Sequence, residues 1–200
     1  MELTEATKGI LMLAARDSIQ SLFGERQPPV IDFNNYPELM QTGKGAFVTI
    51  TIKKQLRGCI GYVTSDMTLF DTICDAAVQA STNDPRFYPL TEEEAIHSEI
   101  EISILSPLYE ISNYNEIQIG VHGLVIWDAA PATEKEYYKA ILLPQVAVEN
   151  NYNVPQFLTS LCEKANLPSN IWQTEPLNIK TFTATVFSES GNRKRTYVQG

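Results

Sequence analysis

An arginine, a thiol and two glycines fall within one short apolar run, Leu56-Arg57-Gly58-Cys59-Ile60-Gly61-Tyr62-Val63. The run has the length of one buried strand. Alternation in such a strand puts Arg57, Cys59 and Gly61 on one face and Leu56, Gly58 and Ile60 on the other. A guanidinium beside a thiol favours the thiolate, the form that attacks carbon and binds metals. Gly58 and Gly61 add no packing, so they mark a bulge or a place where a ligand or another backbone approaches closely. Two readings stay open. Cys59 is a nucleophile or redox thiol, or it is a packed side chain on a half-buried strand, because unoxidised cysteine is among the most buried residue types.

Other residues with chemistry lie further along. Asp84-Pro85-Arg86-Phe87 reads as an Asp-Pro turn, in which Arg86 is solvated or paired locally, or as a fork for a carboxylate or phosphate. Glu101 sits in an alternating stretch and is a general base if its face is covered, or a solvated or ion-paired strand residue if not. His122 lies between glycines where the chain can turn sharply; it is a general-base candidate, against the plainer role of a hydrogen-bonding residue. Gln145 follows Pro144 at a helix start, where backbone N–H groups can hold an anion. His97 and His122 lack the spacing of metal ligands, and Cys59, Cys74 and Cys162 form no CxxC pair, so no metal site is expected. No phosphate loop, dinucleotide fingerprint or hydrolase elbow is present, and the sequence names no cofactor.

The elements that must carry these residues can be read from periodicity and end signals. Helices are expected over 4–23, over 68–82, from the Thr91-x-x-Glu94 capping box, from Pro144, and along the Val154, Phe157, Leu158, Leu161, Cys162, Ala165 stripe. In the 68–82 helix, Asp71, Asp75 and Gln79 are expected to face water. Strands are expected over 46–53, the signature run, 98–106, 117–119, 124–127, 137–142 and one long segment over 178–189, with a short extended piece at Val30–Phe33. Lys53-Lys54-Gln55 is the expected hairpin turn. Loops fill 25–43, 83–90 and 128–136, and 190–200 is a polar tail. Hairpins with helices collected around them make an α+β fold: an antiparallel sheet with packed helices, in a single domain over 1–200.

Leu56-Arg57-Gly58-Cys59-Ile60-Gly61 resembles the LRGCIG signature of the AMMECR domain family, whose prokaryotic members are called AmmeMemoRadiSam system protein A. The match continues through Gly45-Ala46-Phe47-Val48-Thr49, Asp84-Pro85-Arg86-Phe87 with Pro89-Leu90-Thr91, Glu101-Ile102-Ser103-Ile104-Leu105-Ser106-Pro107, His122-Gly123-Leu124 and Leu142-Leu143-Pro144-Gln145-Val146-Ala147. Cys162, Lys164, Ala165, Leu167 and Trp172 complete the order. Asn166 stands where the family has Gly at a helix end; Asn tolerates the same left-handed conformation. The resemblance implies an α+β fold with two subdomains. It also implies a shared pathway with Memo-like and radical SAM proteins that modifies a metabolite or peptide. In the first functional reading, Cys59 is nucleophile and His122 base. Arg57, Gly58, Gly61, Arg86, Glu101 and Gln145 then receive a small anionic substrate. In the second, the signature strand is a non-catalytic adaptor surface for a partner such as the Memo-like protein.

Composition sets the bounds. The 200 residues carry 15 Lys and Arg against 24 Asp and Glu, a net charge of −9. Nucleic-acid backbones call for a basic footprint, and the one basic cluster, Arg193-Lys194-Arg195, lies in the polar tail, so no nucleic-acid partner is expected. An odd cysteine count without a pairing pattern fits a reducing compartment. Glu2 and Glu5 stand where a signal peptide would be basic, and no apolar run is long enough to span a bilayer, so a cytoplasmic protein without membrane contact is expected.

Overall fold

Residues 3–24, 31–129 and 136–190 are described by the computed structural model. The polar tail beyond Ser190, the Arg193-Lys194-Arg195 cluster, the first part of the 25–43 loop and the middle of the 128–136 loop lie outside the described residues. The chain groups into two compact units, one made of residues 1–105 and 185–194, the other of 106–184 and 195–200.

In the first unit Thr4 caps helix α1 (Glu5–Ser21) by accepting the N–H of Thr7. Of the extended piece expected at 30–33, Val30 lies outside the described residues and Asp32 is extended, but no strand forms: Asp32 accepts the Asn34 N–H and starts a 3-10 turn at Phe33–Asn35, followed by a second at Pro37–Met40. Strand β1 (Ala46–Ile52) then pairs antiparallel with β2 (Gln55–Tyr62). Ile52 opposes Gln55, so the turn is the two residues Lys53 and Lys54, with φ of +51° and +66°. That is a tight hairpin turn in a conformation normally given to Asn and Gly. Helix α2 (Leu69–Thr82), capped by Thr68, lies against β1 and β2. The short α3 (Glu92–His97) carries the expected capping box. Strand β3 (Glu99–Leu105) completes three strands in the order β2-β1-β3. Val48, Ile50, Ile100 and Ile102 alternate along β1 and β3 and join Ile73, Ala76, Ala77 and Ala80 of α2 and Leu11, Ala15 and Ile19 of α1 in one core. Asp75 does not face water as expected; it accepts the Tyr62 hydroxyl, and this bond, with burial and the carboxylate's charge, pushes the phenol up to about 12.

Gly9 is an exposed position inside α1 with nothing within 4 Å of an added Cβ. Gly9→Ala is therefore expected to raise stability by about 0.5–1 kcal/mol, seen as a higher urea midpoint at unchanged slope.

The second unit holds β4 (Tyr109–Glu110), β5 (Gly123–Ala129), β6 (Glu136–Leu142) and β7 (Ile179–Phe182) in the order β4-β7-β5-β6, all antiparallel. Helices α4 (Pro144–Glu149) and α5 (Val154–Lys164) belong to this unit. Leu124, Ile126, Phe157, Leu158, Leu161 and Ile179 form its core, and Cys162 is wholly buried among them, as the helical stripe implies. Asn166 has φ of +54°; Leu167 N–H bonds Cys162 O at 2.9 Å and Asn166 N–H bonds Glu163 O at 3.0 Å. The helix thus ends in a Schellman cap with Asn in the left-handed position. No strand forms at 117–119; Asn113 and Glu116 instead cap a 3-10 turn at Tyr114–Glu116.

The segment expected as one strand over 178–189 is two. It runs as β7 in the second unit's sheet, then as β8 (Ala184–Ser188) beside β3 in the first unit's sheet. The break is at Thr183, whose N–H goes to Ser106 Oγ at 2.9 Å and whose carbonyl takes the Ser106 N–H at 2.8 Å. Local bonds to a serine replace the ladder there. The fold is α+β, with helices packed on antiparallel sheets. No helix among the described residues is long and apolar enough to cross a membrane.

Candidate functional site

The two glycines of the signature run act through contact with backbone. A Cβ on Gly58 would lie far inside contact distance of the Ala80 carbonyl oxygen of α2, and one on Gly61 would meet Ala46 O and the Phe47 backbone and ring. Gly58 therefore lets a helix approach the strand, and Gly61 lets Phe47 lie across it.

The register slips by one residue inside β2. Ile50 opposes Gly58 and Thr51 opposes Leu56, so Arg57 is the extra residue of a β-bulge. A bulge re-aims a side chain. Here it breaks the simple alternation: Cys59 and Gly61 share a face, but Leu56, opposite Thr51, now falls on that face, and Arg57 is turned to other partners. Its Nε and Nη2 make paired 2.9 Å bonds to the two carboxylate oxygens of Glu94. Nη1 donates to Tyr88 O at 2.9 Å and Nη2 to Pro89 O at 3.3 Å. The Arg57 side chain is 16 % exposed. Hydrogen bonds from Arg57, then from Thr91 N–H, outweigh burial and hold the Glu94 carboxyl at about 2. All three guanidinium nitrogens of Arg57 thus bind α3 and the 88–89 backbone to the bulge.

Arg86 is the cation set beside Cys59. Asp84, buried, accepts the Cys59 N–H at 2.8 Å on the outer edge of β2. It also takes three bonds from Arg86: from the backbone N–H at 3.1 Å, Nε at 2.9 Å and Nη2 at 2.7 Å. Nη2 reaches back to Cys59 O at 3.5 Å. Burial pushes the Asp84 carboxyl up, but these bonds and the guanidinium's charge together outweigh it and hold the group at about 2. The Arg86 guanidinium is held above its ordinary value by its bonds to Asp84, against burial, with Cys59 adding to the effect. Its side chain is 51 % exposed, and among the described residues Nη1 donates to nothing. The Phe87 ring centre is 5.7 Å from the Arg57 Cζ and 5.4 Å from the Arg86 Cζ, within cation–π range of both.

Thr49 on β1 opposes Cys59, and its hydroxyl donates to Sγ at 3.3 Å. On its other side Thr49 opposes Glu101 of β3. Cys59, Thr49 and Glu101 form one row across three strands, all partly exposed. Burial pushes the Cys74 and Cys162 thiols up, and no disulfide joins any of the three cysteines.

The structure therefore brings Arg57, Gly58, Cys59, Gly61, Arg86 and Glu101 into the first unit. Thr49 and Glu94 are partners that sequence reasoning misses. His122 and Gln145 belong to the second unit. His122 closes a turn: its Nδ1 accepts the Gln118 N–H at 3.2 Å, which leaves the proton on Nε2, while its own N–H bonds Gln118 O at 2.9 Å. Gln145 is buried in the first turn of the six-residue α4. Among the described residues no three His, Cys, Asp or Glu side chains gather as a metal site needs.

The chain matches the profile of the family described as AMMECR1 over residues 12–187. It is 39 % identical over 167 residues to protein MJ0810 of Methanocaldococcus jannaschii, covering 80 % of each chain. It is 34 % identical over 194 residues to a protein of Methanosarcina acetivorans, covering 94 % of each. Among solved structures it resembles the uncharacterized protein PH0010 of Pyrococcus horikoshii, with a TM-score of 0.78, 32 % identity and 92 % of each chain covered.

Proposed function

We propose that this chain, which belongs to the AMMECR1 family, uses the Cys59 thiol on a small anionic metabolite or peptide that Arg86 anchors. The observation that supports this is the state of Arg86: its Nε and Nη2 are fixed by buried Asp84, its Nη1 still has donors to offer, and it stands beside Cys59. A planar guanidinium held on one edge and open on the other suits a carboxylate or phosphate. The Thr49 hydroxyl, donating to Sγ, stabilises negative charge on sulfur. Glu101 shares this row one strand beyond Thr49, two strand spacings from Cys59 and so out of direct proton-transfer reach. Gly58 and Gly61 serve the site by holding the strand against α2 and Phe47. Arg57, assigned to the ligand by its neighbourhood in sequence, has the part of a brace. A cytoplasmic setting and a pathway with a Memo-like protein and a radical SAM enzyme belong to the same proposal, on the strength of the family association and the unpaired cysteine count.

Alkylation kinetics test it. At neutral pH Cys59 should react with iodoacetamide faster than Cys74 or Cys162, followed by mass spectrometry of each peptide. Iodoacetate carries the negative charge the anchor would hold. Arg86→Gln should lower the iodoacetate-to-iodoacetamide rate ratio at Cys59 by about fivefold, the effect of roughly 1 kcal/mol of charge attraction near the surface. Arg57→Gln should leave that ratio unchanged. A ratio indifferent to Arg86, or a Cys59 no faster than Cys162, would overturn the proposal.

A further inference from the structure

Tyr88 is 91 % exposed on a segment that is otherwise firmly held. Arg57 bonds its carbonyl and the next one, Phe87 N–H bonds Asp84 O at 3.0 Å, and Leu90 N–H bonds Ser81 O at 2.7 Å. Pro85 and Pro89 restrict the backbone on both sides. A ring presented from so fixed a backbone has little ordering left to lose when something covers it, and tyrosine is enriched at the energetic centres of interfaces.

Arg57 is also one wall of a cleft of about 310 Å³, lined with Ile52, Lys53, Gln55, Leu56 and Glu94. Leu56 is 42 % exposed at its edge. Lys53 and Lys54 are exposed at the adjoining turn in a left-handed conformation that Asn and Gly adopt at less cost. Two cations are kept where the backbone disfavours them, and strain of this kind points to use. On a chain of net charge −9 this corner joins lysines to exposed apolar groups.

We infer that Tyr88, Leu56 and the Lys53–Lys54 turn form a docking surface for an extended acidic segment of a partner protein. Its apolar side chains enter the cleft beside Leu56 and cover the Tyr88 ring, whose backbone carbonyl Arg57 ties to the cleft wall, and its carboxylates meet the lysines. The two lysines select the occupant, since the Arg57 and Glu94 charges in the cleft wall are paired with each other. The surface does not depend on the reactivity of Cys59.

The test uses the full chain and two fluorescein-labelled ten-residue peptides, one alternating Asp and Leu, the other Lys and Leu, read by fluorescence anisotropy. The Asp/Leu peptide should bind saturably and weaken with added salt. Tyr88→Ala should weaken it by at least about tenfold, and so should the double variant Lys53→Glu, Lys54→Glu. Cys59→Ser should bind as the parent does, which separates this outcome from the fate of the thiol proposal. Thermal melts confirm that the variants, all at exposed positions apart from Cys59, are folded. No saturable binding, equal binding of the Lys/Leu peptide, or variants that bind like the parent would overturn the inference. So would a dimer in sedimentation equilibrium that Tyr88→Ala dissolves, since it would seat a second copy on the surface.

Discussion

Asp84→Ala is expected to cost the fold about 2–3 kcal/mol in urea unfolding, because it strands the Cys59 N–H and removes a charge-assisted pair. Asp84→Asn keeps an oxygen for that N–H and should cost less. The larger signature is in acid. The Asp84 carboxyl titrates at about 2 in the folded chain, against an ordinary 3.8. As pH falls, the unfolded chain therefore takes up this proton first. The stabilisation is complete above about pH 4 and is lost as pH falls through about 2; it amounts to about 2 kcal/mol. Asp84→Ala should flatten the stability curve across that window. Glu94, also held at about 2, gives a slope of the same sign. Its share is smaller, since its side chain is 34 % exposed and solvent screens the Arg57 pair. A variant whose stability falls from pH 4 to 2 as steeply as the parent's would mean that Asp84 is not ion-paired in solution.

The second large effect is expected at Gly58. One methyl group there is driven against the Ala80 carbonyl oxygen, with the carbonyl carbon only 3.1 Å away. Both are backbone, so no rotamer change relieves the clash; α2 must shift off β2 or the bulge must open. Gly58→Ala should lose roughly 3–5 kcal/mol, at the high end for overpacking. Because α2 carries Ser81 and leads into Asp84, the variant should also release Arg86 from its place. Hydrogen exchange should show faster opening of α2 and the 83–90 loop together, with the second unit's α5 unchanged. Beside Gly9→Ala, which should stabilise, this makes a pair of identical substitutions of opposite sign, decided by what each methyl meets.

Helix ends are legible in the sequence because capping is local. Thr4, the Thr91–Glu94 box and Asn166 act close to themselves in sequence and appear as read, and Thr68 caps the helix expected from 68 in the same local way. The alternation of β1 and β3 is equally plain, since one face is buried. Residues whose partners are remote are another matter. Counting back from the Lys53–Lys54 turn puts Thr49 opposite Gly58; only the extra residue at Arg57 moves it to Cys59. That single slip decides which arginine stands by the thiol. Gly58 signals a bulge or a close approach, and both occur, but the sequence does not say which neighbour is doubled. The two-sheet path of 178–189 is hidden for a similar reason: Thr183 is an ordinary strand residue, and what interrupts the ladder is Ser106, far back in the chain.

That interruption has a consequence for how the protein is made. Strand β8 closes the outer side of β3, and Glu189 adds bonds to Arg16 and to the Ile100 N–H. A nascent chain leaving the ribosome therefore holds every piece of its first sheet except the last until the intervening residues 106–183 have also been synthesised. During that time β3 has a bare edge of unpaired amides and carbonyls, a template for another chain. A stop just before Ala184 would make this exposure permanent, so a chain ending there should yield inclusion bodies and not a shortened soluble protein.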